Sequence, residues 1–475
     1  MENESVCEKA IDYFFKTSMI IMRKMHFCGK HLLCAFILLA VSLSAHAQFL
    51  RSSYFMDGSS RLQLNPAWLP SRGYVDVPAL GMLNVSAYTN SLGTQDVIDM
   101  FDAGDDFWSS SAFNDKLKGM NKASVSVATD LVSFGFYKGK GFWSFNVGVR
   151  TDVEGRFPKG LFDFLRDMPE NENEWDNRSF GFNGQALALN AYAEVGVGYA
   201  RAIGDRLTVG GKFNFLLGAG NLDMHIDNVR INTENLYAGS GSAELNVDAY
   251  AEANMKGLDL LTNSDGYVDE VEYNNFGIGG YGVGIDLGAT YRLLDNLTVS
   301  AAVLDLGFIK WSKGSSLVAE GHTHEAYSVA DGNIQDFYDR VSGGDVIDLD
   351  LIGLEENSEK KARTTTLPTT LVLGAEYTFF NNKLSAGILS TTRWGQLNTL
   401  SELTVIGTYR PWSLLNLSLS YSMLQSAGKS FGLGIKLGPV MLGTDYMYLG
   451  KNSRSVNAFI GLSFAIGKSR EQAQL

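Results

Sequence analysis

The chain has 475 residues, 45% hydrophobic and 12% aromatic, which excludes wholesale disorder and is enough for one large domain or two to three ordinary ones. The formal net charge is −13 with no basic patch, so we do not expect a nucleic-acid partner. The 51 glycines and 8 prolines favour many tight turns and strand positions with small side chains.

Residues 1–47 have the pattern of a secretory signal peptide. A basic segment that ends at Lys30 precedes the apolar run Leu32–Leu43, and Ala-His-Ala follows at 45–47. We therefore predict cleavage between Ala47 and Gln48. The apolar run is too short to cross a membrane as a helix.

The lead-in to this segment is longer than usual, and translation could instead begin at Met22 or Met25. The three cysteines all precede the predicted cleavage point: Cys7, Cys28 and Cys34. The predicted mature chain therefore has no disulfide, no thiolate metal site and no cysteine nucleophile.

Residues 48–73 precede the first predicted strand and include the sequence RLQLNPAWLP at 61–70. Asn-Pro initiates a turn, and two prolines exclude this segment from the middle of a sheet. One interpretation is a simple lead-in on the periplasmic side. The other is a hatch, or plug, inside the structure that follows, formed by Asn65, Pro66, Ala67 and Trp68.

The remainder of the chain consists of segments in which apolar residues alternate with polar or small ones. In residues 194–218, EVGVGYARAIGDRLTVGGKFNFLLG, this alternation on both sides of Gly204-Asp205 predicts a long antiparallel hairpin. The same pattern recurs along the chain. It predicts about fourteen strands, near residues 74–89, 123–137, 141–153, 186–202, 206–218, 280–293, 296–310, 369–379, 383–393, 402–410, 414–424, 429–437, 440–449 and 454–466.

The connections between these strands favour a membrane barrel over a soluble β-sandwich. Tight turns alternate with longer loops, of which 154–185, 219–279 and 311–368 are the longest. Many predicted strands have 10–15 residues, as a tilted membrane strand requires, and aromatic residues cluster at their ends. We therefore predict an all-β fold: a transmembrane antiparallel β-barrel of about 14 strands over residues 74–467, with a C-terminal tail at 468–475.

Charged residues in the middle of the polar faces suit a hydrated lumen better than a dry core. The predicted lumen-lining residues are Glu194, Asp286, Arg292, Glu376 and Lys436. We see no strand histidine beside a serine, so neither an enzyme nor a cofactor is expected.

Four short motifs have ordinary structural interpretations beside their functional ones. GIGGYG at 277–282 formally matches a dinucleotide-binding pattern but does not open a helix, so we interpret it as a loop-to-strand junction. LFDFLRDM at 161–168 predicts a short helix packed on the barrel mouth, with a ligand-facing role as the alternative. His322-Thr323-His324 lacks a third ligand fixed nearby, so no metal site is predicted there.

The fourth motif, at residues 261–272, resembles a calcium-binding EF-hand loop. Asn263, Asp265 and Glu272 are in register, but Leu261 occupies the first ligand position and cannot coordinate a cation. An acidic surface loop is therefore favoured, and calcium remains a weak alternative.

Several stretches also support a resemblance to a known group: AYAEVGVGYARAIGDRLTVGGKFNFLLGAGN, VLDLGFIKW and the early NPAWLP. With these, the chain resembles the superfamily of FadL-type long-chain fatty-acid transporters and PorV-type secretion barrels. It looks most like an outer-membrane barrel family of Bacteroidetes-type bacteria, a domain of unknown function. The resemblance implies that Asn65, Pro66 and Ala67 belong to an N-terminal hatch in the lumen. Such motifs specify a fold better than an activity.

Three functions follow as expectations. The first is passage of hydrophobic or small amphipathic compounds, as in FadL-type barrels. The alternative is a non-transporting scaffold or secretion-associated barrel that binds protein partners through its extracellular loops, and the third is a general porin. All three place the protein in the outer membrane, in contact with its lipid, after removal of the signal peptide.

Overall fold

In the computed structural model, the described residues are 50–77, 81–93, 96, 110–169, 171–264, 266–274, 277–341, 353–357, 360–425, 430–447 and 454–469. The predicted signal peptide, its cleavage point and most of the predicted C-terminal tail lie outside these ranges. No helix among the described residues is long and apolar enough to cross a membrane.

The described residues contain strands β1 (Arg72–Asp76), β2 (Leu83–Thr89), β3 (Met120–Lys138), β4 (Gly141–Pro158), β5 (Ser179–Phe182), β6 (Gln185–Ile203), β7 (Leu207–Glu234), β8 (Ser242–Met255), β9 (Leu258–Thr262), β10 (Val268–Tyr273), β11 (Gly280–Leu294), β12 (Leu297–Trp311), β13 (Ser316–Ser328), β14 (Glu355–Glu356), β15 (Arg363–Thr366), β16 (Thr369–Phe379), β17 (Leu384–Trp394), β18 (Thr399–Trp412), β19 (Leu415–Gln425), β20 (Ser430–Leu437), β21 (Val440–Met447) and β22 (Ser455–Ser469). Three α-helices accompany them: α1 (Ser111–Asn114), α2 (Lys159–Asp167) and α3 (Ile334–Val341).

Among the described residues, the strands occupy fourteen successive places in a closed antiparallel ring. β1 and β2 share the first position, because each pairs with β22 on one side and β3 on the other. The ring continues through β3, β4, β6, β7, β11, β12, β16, β17, β18, β19, β20, β21 and β22. The prediction of a barrel of about 14 strands is confirmed, although the first predicted strand is divided in two.

The two faces of each barrel strand differ as the alternation predicted. On β7, Phe213 points outward with 51% of its surface exposed, whereas its neighbour Asn214 points into the lumen and is 2% exposed. Val195 and Val197 on β6 are likewise outward, with Glu194 buried inside. Because a protein surface this apolar is stable only against hydrocarbon, the outer face is the lipid-facing one.

Short turns join strands at the periplasmic end. Gly204, between β6 and β7, has φ +63°, a left-handed backbone conformation that glycine adopts without strain. This explains why the sequence places Gly-Asp at the turn of the hairpin.

All three segments predicted as long loops instead contain strands on the outer side of the barrel. β7 continues to Glu234, well past its pairing with β11, and there it pairs with β8, which pairs with β13. This extracellular sheet has its own core, which includes Trp175, Ile231, Leu245 and Phe337. The predicted helix at 161–168 is present as α2, and its Phe164 packs into the same core.

The outward orientation of Phe213 yields a stability prediction. Phe213→Arg places a charge near the middle of the lipid-facing part of β7, so the free energy of unfolding should fall by about 2–4 kcal/mol. Phe213→Leu, which keeps an apolar side chain, is the control. The measurement is equilibrium unfolding in guanidinium with the barrel in phospholipid vesicles. Equal stability of the two variants would contradict the assignment of this face to lipid.

Candidate functional site: the hatch and the lumen

Residues 50–70 form a compact segment inside the barrel, which we call the hatch. It contains two short 3-10 helices, Arg51–Ser53 and Ser59–Gln63. Most of its side chains are buried, although the segment belongs to no strand of the wall. The lumen of a 14-strand ring is wider than side chains alone can fill, and the hatch occupies that space.

An aromatic cluster forms the apolar part of the hatch. The ring centroids of Tyr54, Phe55 and Trp68 lie 5.0–5.7 Å apart. They pack against lumen-facing apolar residues of three adjacent strands: Val372 on β16, Leu389 on β17 and Ile406 on β18. We call these three wall residues the apolar lane; polar side chains such as Glu376 and Thr404 are also buried on the same strands.

The Asn65-Pro66-Ala67-Trp68 segment, predicted as the hatch motif, is buried among β11, β12 and the aromatic cluster. The Asn65 side-chain oxygen accepts from the backbone N–H of Ala67 at 2.9 Å, which closes the tight turn. Its amide nitrogen donates to the backbone oxygens of Ala289 and Ala301 at 3.4 and 3.3 Å. A Cβ at Gly288 would lie 2.9 Å from the Pro66 ring, so glycine there lets the hatch approach the wall.

A second attachment of the hatch uses charge. Arg51 forms an ion pair with Glu402 of β18, and the guanidinium also lies 4.8 Å from the centre of the Tyr446 ring. The Tyr446 hydroxyl donates to Glu402 at 2.6 Å. The Asp445 carboxylate accepts from the backbone N–H groups of residues 51 and 52 at 3.1 and 2.7 Å. The sequence analysis did not find this cluster.

Two of the predicted lumen-lining residues lie beside the hatch, Lys436 in direct contact and Glu376 through Arg410. The Lys436 ammonium donates to the backbone oxygen of Asp57 at 2.5 Å. Glu376 forms an ion pair with Arg410 at 2.5 Å, and Arg410 also donates to the backbone oxygen of Phe55. Both residues therefore lie beside the hatch, on the wall that surrounds it.

Two further predicted residues, Glu194 and Asp286, belong to a row of charges that we call the charge belt. Arg150 on β4 lies 2.8 Å from Glu194 and 2.9 Å from Asp130 on β3. Lys212 on β7 lies 3.1 Å from Glu194 and 3.9 Å from Asp286. The belt thus spans five neighbouring strands from β3 to β11, and it reaches the hatch where Gln63 donates to Asp130 at 2.9 Å.

The fifth predicted residue, Arg292, is not part of this arrangement. It lies near the end of β11, beside the short turn to β12, and is exposed. The strand bulges between Arg292 and Leu294, so the regular alternation of the two faces ends there.

The weak calcium candidate lies on a hairpin of β9 and β10 rather than between helices. The Asn263 side-chain oxygen accepts from the backbone N–H of Tyr267 at 3.1 Å, and Glu272 pairs with Asp259 across the hairpin. Asp265 lies outside the described residues. An EF-hand needs its loop held by two helices, and this local structure does not provide them.

The two histidines of the His-x-His motif lie on the solvent face of the extracellular sheet. His322 and His324 lie 3.0 and 3.4 Å from the same oxygen of Asp248, a neighbour that the sequence did not reveal. The hydrogen bond from His322 lowers the pKa of Asp248. Within the described ranges, no three histidine, cysteine or acidic side chains are arranged to hold a metal ion.

These features define a class: an outer-membrane β-barrel of 14 strands with an N-terminal hatch in its lumen. Comparison with protein families identifies the group within that class. The chain belongs to the family of unknown function DUF5723, whose model matches residues 66–445. The match includes most of the Asn-Pro-Ala segment and all barrel strands up to β21.

The chain is also similar to solved barrels at low identity. The toluene transporter TbuX of Ralstonia pickettii is 11% identical, with a TM-score of 0.41 and coverage of 86% of this chain and 94% of that one. The toluene transporter TodX of Pseudomonas putida is 11% identical, with a TM-score of 0.36, and the match covers 88% of this chain and 94% of that one. A FadL homologue of Pseudomonas aeruginosa is 12% identical, with a TM-score of 0.37, and the match covers 86% of this chain and 92% of that one. No curated protein matches the chain.

The Arg51 cluster generates a prediction about the hatch. Arg51→Met leaves the buried Glu402 and Asp445 carboxylates without their cation, so the free energy of unfolding should fall by about 3–5 kcal/mol. The hatch should also become sensitive to added protease in detergent. Arg72→Met, at an exposed arginine of β1, is the control. An unchanged melting temperature together with an intact hatch would show that this ion pair does not hold the segment.

Proposed function

We propose that this outer-membrane barrel passes hydrophobic or small amphipathic compounds from the outside to the periplasm, and that the hatch moves to allow it. The observation that supports this proposal is that the lumen offers both apolar and charged contacts. The apolar lane of Val372, Leu389 and Ile406 faces the aromatic part of the hatch, ion pairs such as Glu376–Arg410 lie on the same strands, and the charge belt lies on β3 to β11. A compound with both apolar and polar parts could make both kinds of contact.

The way in which the hatch is held also supports movement. It is joined to the wall by side-chain hydrogen bonds and ion pairs, such as those of Arg51 and Asn65, and its backbone belongs to no ladder of the ring. Its displacement would leave every barrel strand paired. Movement of a covering segment is a common way to control access to a buried path.

In this proposal, the signal peptide is removed between Ala47 and Gln48, so that the mature chain begins close to the hatch. Leu50, three residues after Ala47, is already buried in the lumen. The new N-terminus would then be part of the hatch itself.

The second candidate is a scaffold or secretion-associated barrel, and the extracellular sheet is what favours it. One face of this sheet is covered by its apolar core, and the other face carries histidine and acidic side chains. A stoichiometric protein that copurifies from native membranes, and is lost when β8 and β13 are deleted, would support the scaffold. A general porin is a third candidate, for which conductance should be the same with and without the hatch.

A disulfide that ties the hatch to the wall tests the leading proposal. The Ser59 and Ser463 hydroxyl oxygens lie 3.3 Å apart, and all three native cysteines precede the predicted cleavage point. The double variant Ser59→Cys, Ser463→Cys should therefore form a single disulfide bond under oxidising conditions. Because the hatch is then fixed, uptake of a fluorescent long-chain fatty acid and of a neutral aromatic hydrocarbon should fall to the level of a deletion strain.

The two single-cysteine variants are the controls, and a reductant should restore uptake in the double variant. Full uptake with the disulfide complete would contradict hatch movement. Equal uptake by the deletion strain and the native strain would contradict passage itself.

A further inference from the structure

The connection between β17 and β18, residues 395–398, crosses the outer mouth of the barrel. We call it the strap. β17 and β18 are the ninth and tenth positions of the ring, and β4, which the strap reaches, is the third. In a ring of fourteen these positions lie on nearly opposite walls. At the strap, the outer ends of two nearly opposite walls therefore meet across the lumen.

One carboxylate of the far wall holds the strap. A single Glu154 oxygen accepts from the backbone N–H groups of Leu397 and Asn398 at 3.0 and 2.7 Å. Both strap residues are buried, and the Gly395 N–H donates to the Asn398 oxygen at 3.0 Å, which closes the turn. Hydrogen bonds to a carboxylate are stronger than those between neutral groups, so Glu154 is the main polar attachment.

Gly395 shows how closely the carboxylate and the strap approach. A Cβ on Gly395 would lie 2.7 Å from the Glu154 carboxyl carbon, closer than real side chains come. Glycine at this position therefore lets the strap turn against Glu154.

Two further contacts secure the same crossing. Arg393, just before the strap, forms a 2.9 Å ion pair with Asp152 of β4, whose other oxygen accepts from Ser126 at 2.6 Å. Leu397 packs in one cluster with Ala186 and Ala188 of β6. All of these contacts join side chains or loop backbone, so the strap can separate from β4 without breaking a barrel ladder.

We propose that the strap is an extracellular gate that Glu154 holds closed, and that its release opens the lumen to the outside. The gate and the hatch are then two barriers in series. The biological role of the gate rests on the proposed passage of compounds. Its opening, however, is a property of the fold that can be measured without any transported compound.

Thr391 offers a site at which to measure that opening. It faces the lumen on β17, below the strap, and is fully buried, and its hydroxyl has no hydrogen-bond partner among the described residues. Thr391→Cys is therefore a mild change, and this thiol would be the sole cysteine of the predicted mature chain. Because the hatch blocks the periplasmic side, a water-soluble maleimide reaches this thiol through the mouth.

The experiment compares rates of maleimide modification in the purified, folded barrel carrying Thr391→Cys. Adding Glu154→Ala should raise the rate at least about tenfold, since losing charge-assisted hydrogen bonds shifts a closed-to-open equilibrium by that order. Glu154→Gln keeps a carbonyl oxygen that can accept both N–H groups, so its increase should be smaller. Glu320→Ala, at an exposed carboxylate of the extracellular sheet, should leave the rate unchanged.

Gly395→Ala provides a second route to the same result. The added methyl group meets the Glu154 carboxylate, so it should also speed modification while Glu154 remains in place. Heat-modifiable mobility in gels verifies that each variant is folded. Rates within twofold of the parent for both Glu154→Ala and Gly395→Ala would overturn the gate. A failure of hydrocarbon uptake would instead count against passage and leave these rates unaffected.

Discussion

The constraint on which the whole structure depends is that backbone N–H and C=O groups in hydrocarbon must be paired within the protein. The ring satisfies it because β22, the last strand, pairs with β1 and β2, the first. Closure with fourteen positions then has a second consequence, because such a ring encloses more space than its own side chains can fill. An unfilled lumen would be an open pore. The hatch fills that space with residues that precede the first strand, so the same chain builds both the wall and the plug.

The proposed movement requires the hatch to be stable in place and yet separable from the wall, and its contacts are compatible with both. Arg51 and Glu402 are buried together, and burying two charges yields little net stability although breaking the pair is costly. Such a pair therefore fixes position more than it adds affinity. The aromatic cluster of Tyr54, Phe55 and Trp68 supplies apolar burial against the lane on β16 to β18. Neither kind of contact extends the β-ladder, so the hatch and the wall remain distinct parts.

Alternation along the strands was enough to predict the barrel, and it gives Glu194, Asp286, Glu376 and Lys436 as candidates for the lumen. Their inward direction follows from a period of two, which needs no tertiary information. The Arg51 cluster could not be found in this way, because Glu402, Asp445 and Tyr446 lie about 350 to 395 residues further along the chain and the hatch has no period. Arg292 keeps the register of β11 but lies at its end, beside the turn, where it is exposed. The extracellular sheet differs from the predicted loop because β7 is longer than the membrane requires: Leu222, Met224 and Ile226 continue its alternation past the membrane, and the strand ends only at Glu234.

The distribution of charge in the lumen bears on what kind of compound the barrel could pass. Arg150 and Lys212 are each shared between carboxylates of the belt, so a wholly apolar compound sliding along this wall would separate them from water and from one another. Along β16 to β18, Leu389 and Ile406 offer a charged compound no partner, although the Glu376–Arg410 and Arg393–Asp152 ion pairs lie on the same strands. A compound with an apolar body and a polar end avoids both costs if it turns its body toward β17 and its polar end toward β6. This distribution supports the proposed passage of amphipathic compounds, and the strap, attached through Glu154 on β4, lies at the outer end of the lumen.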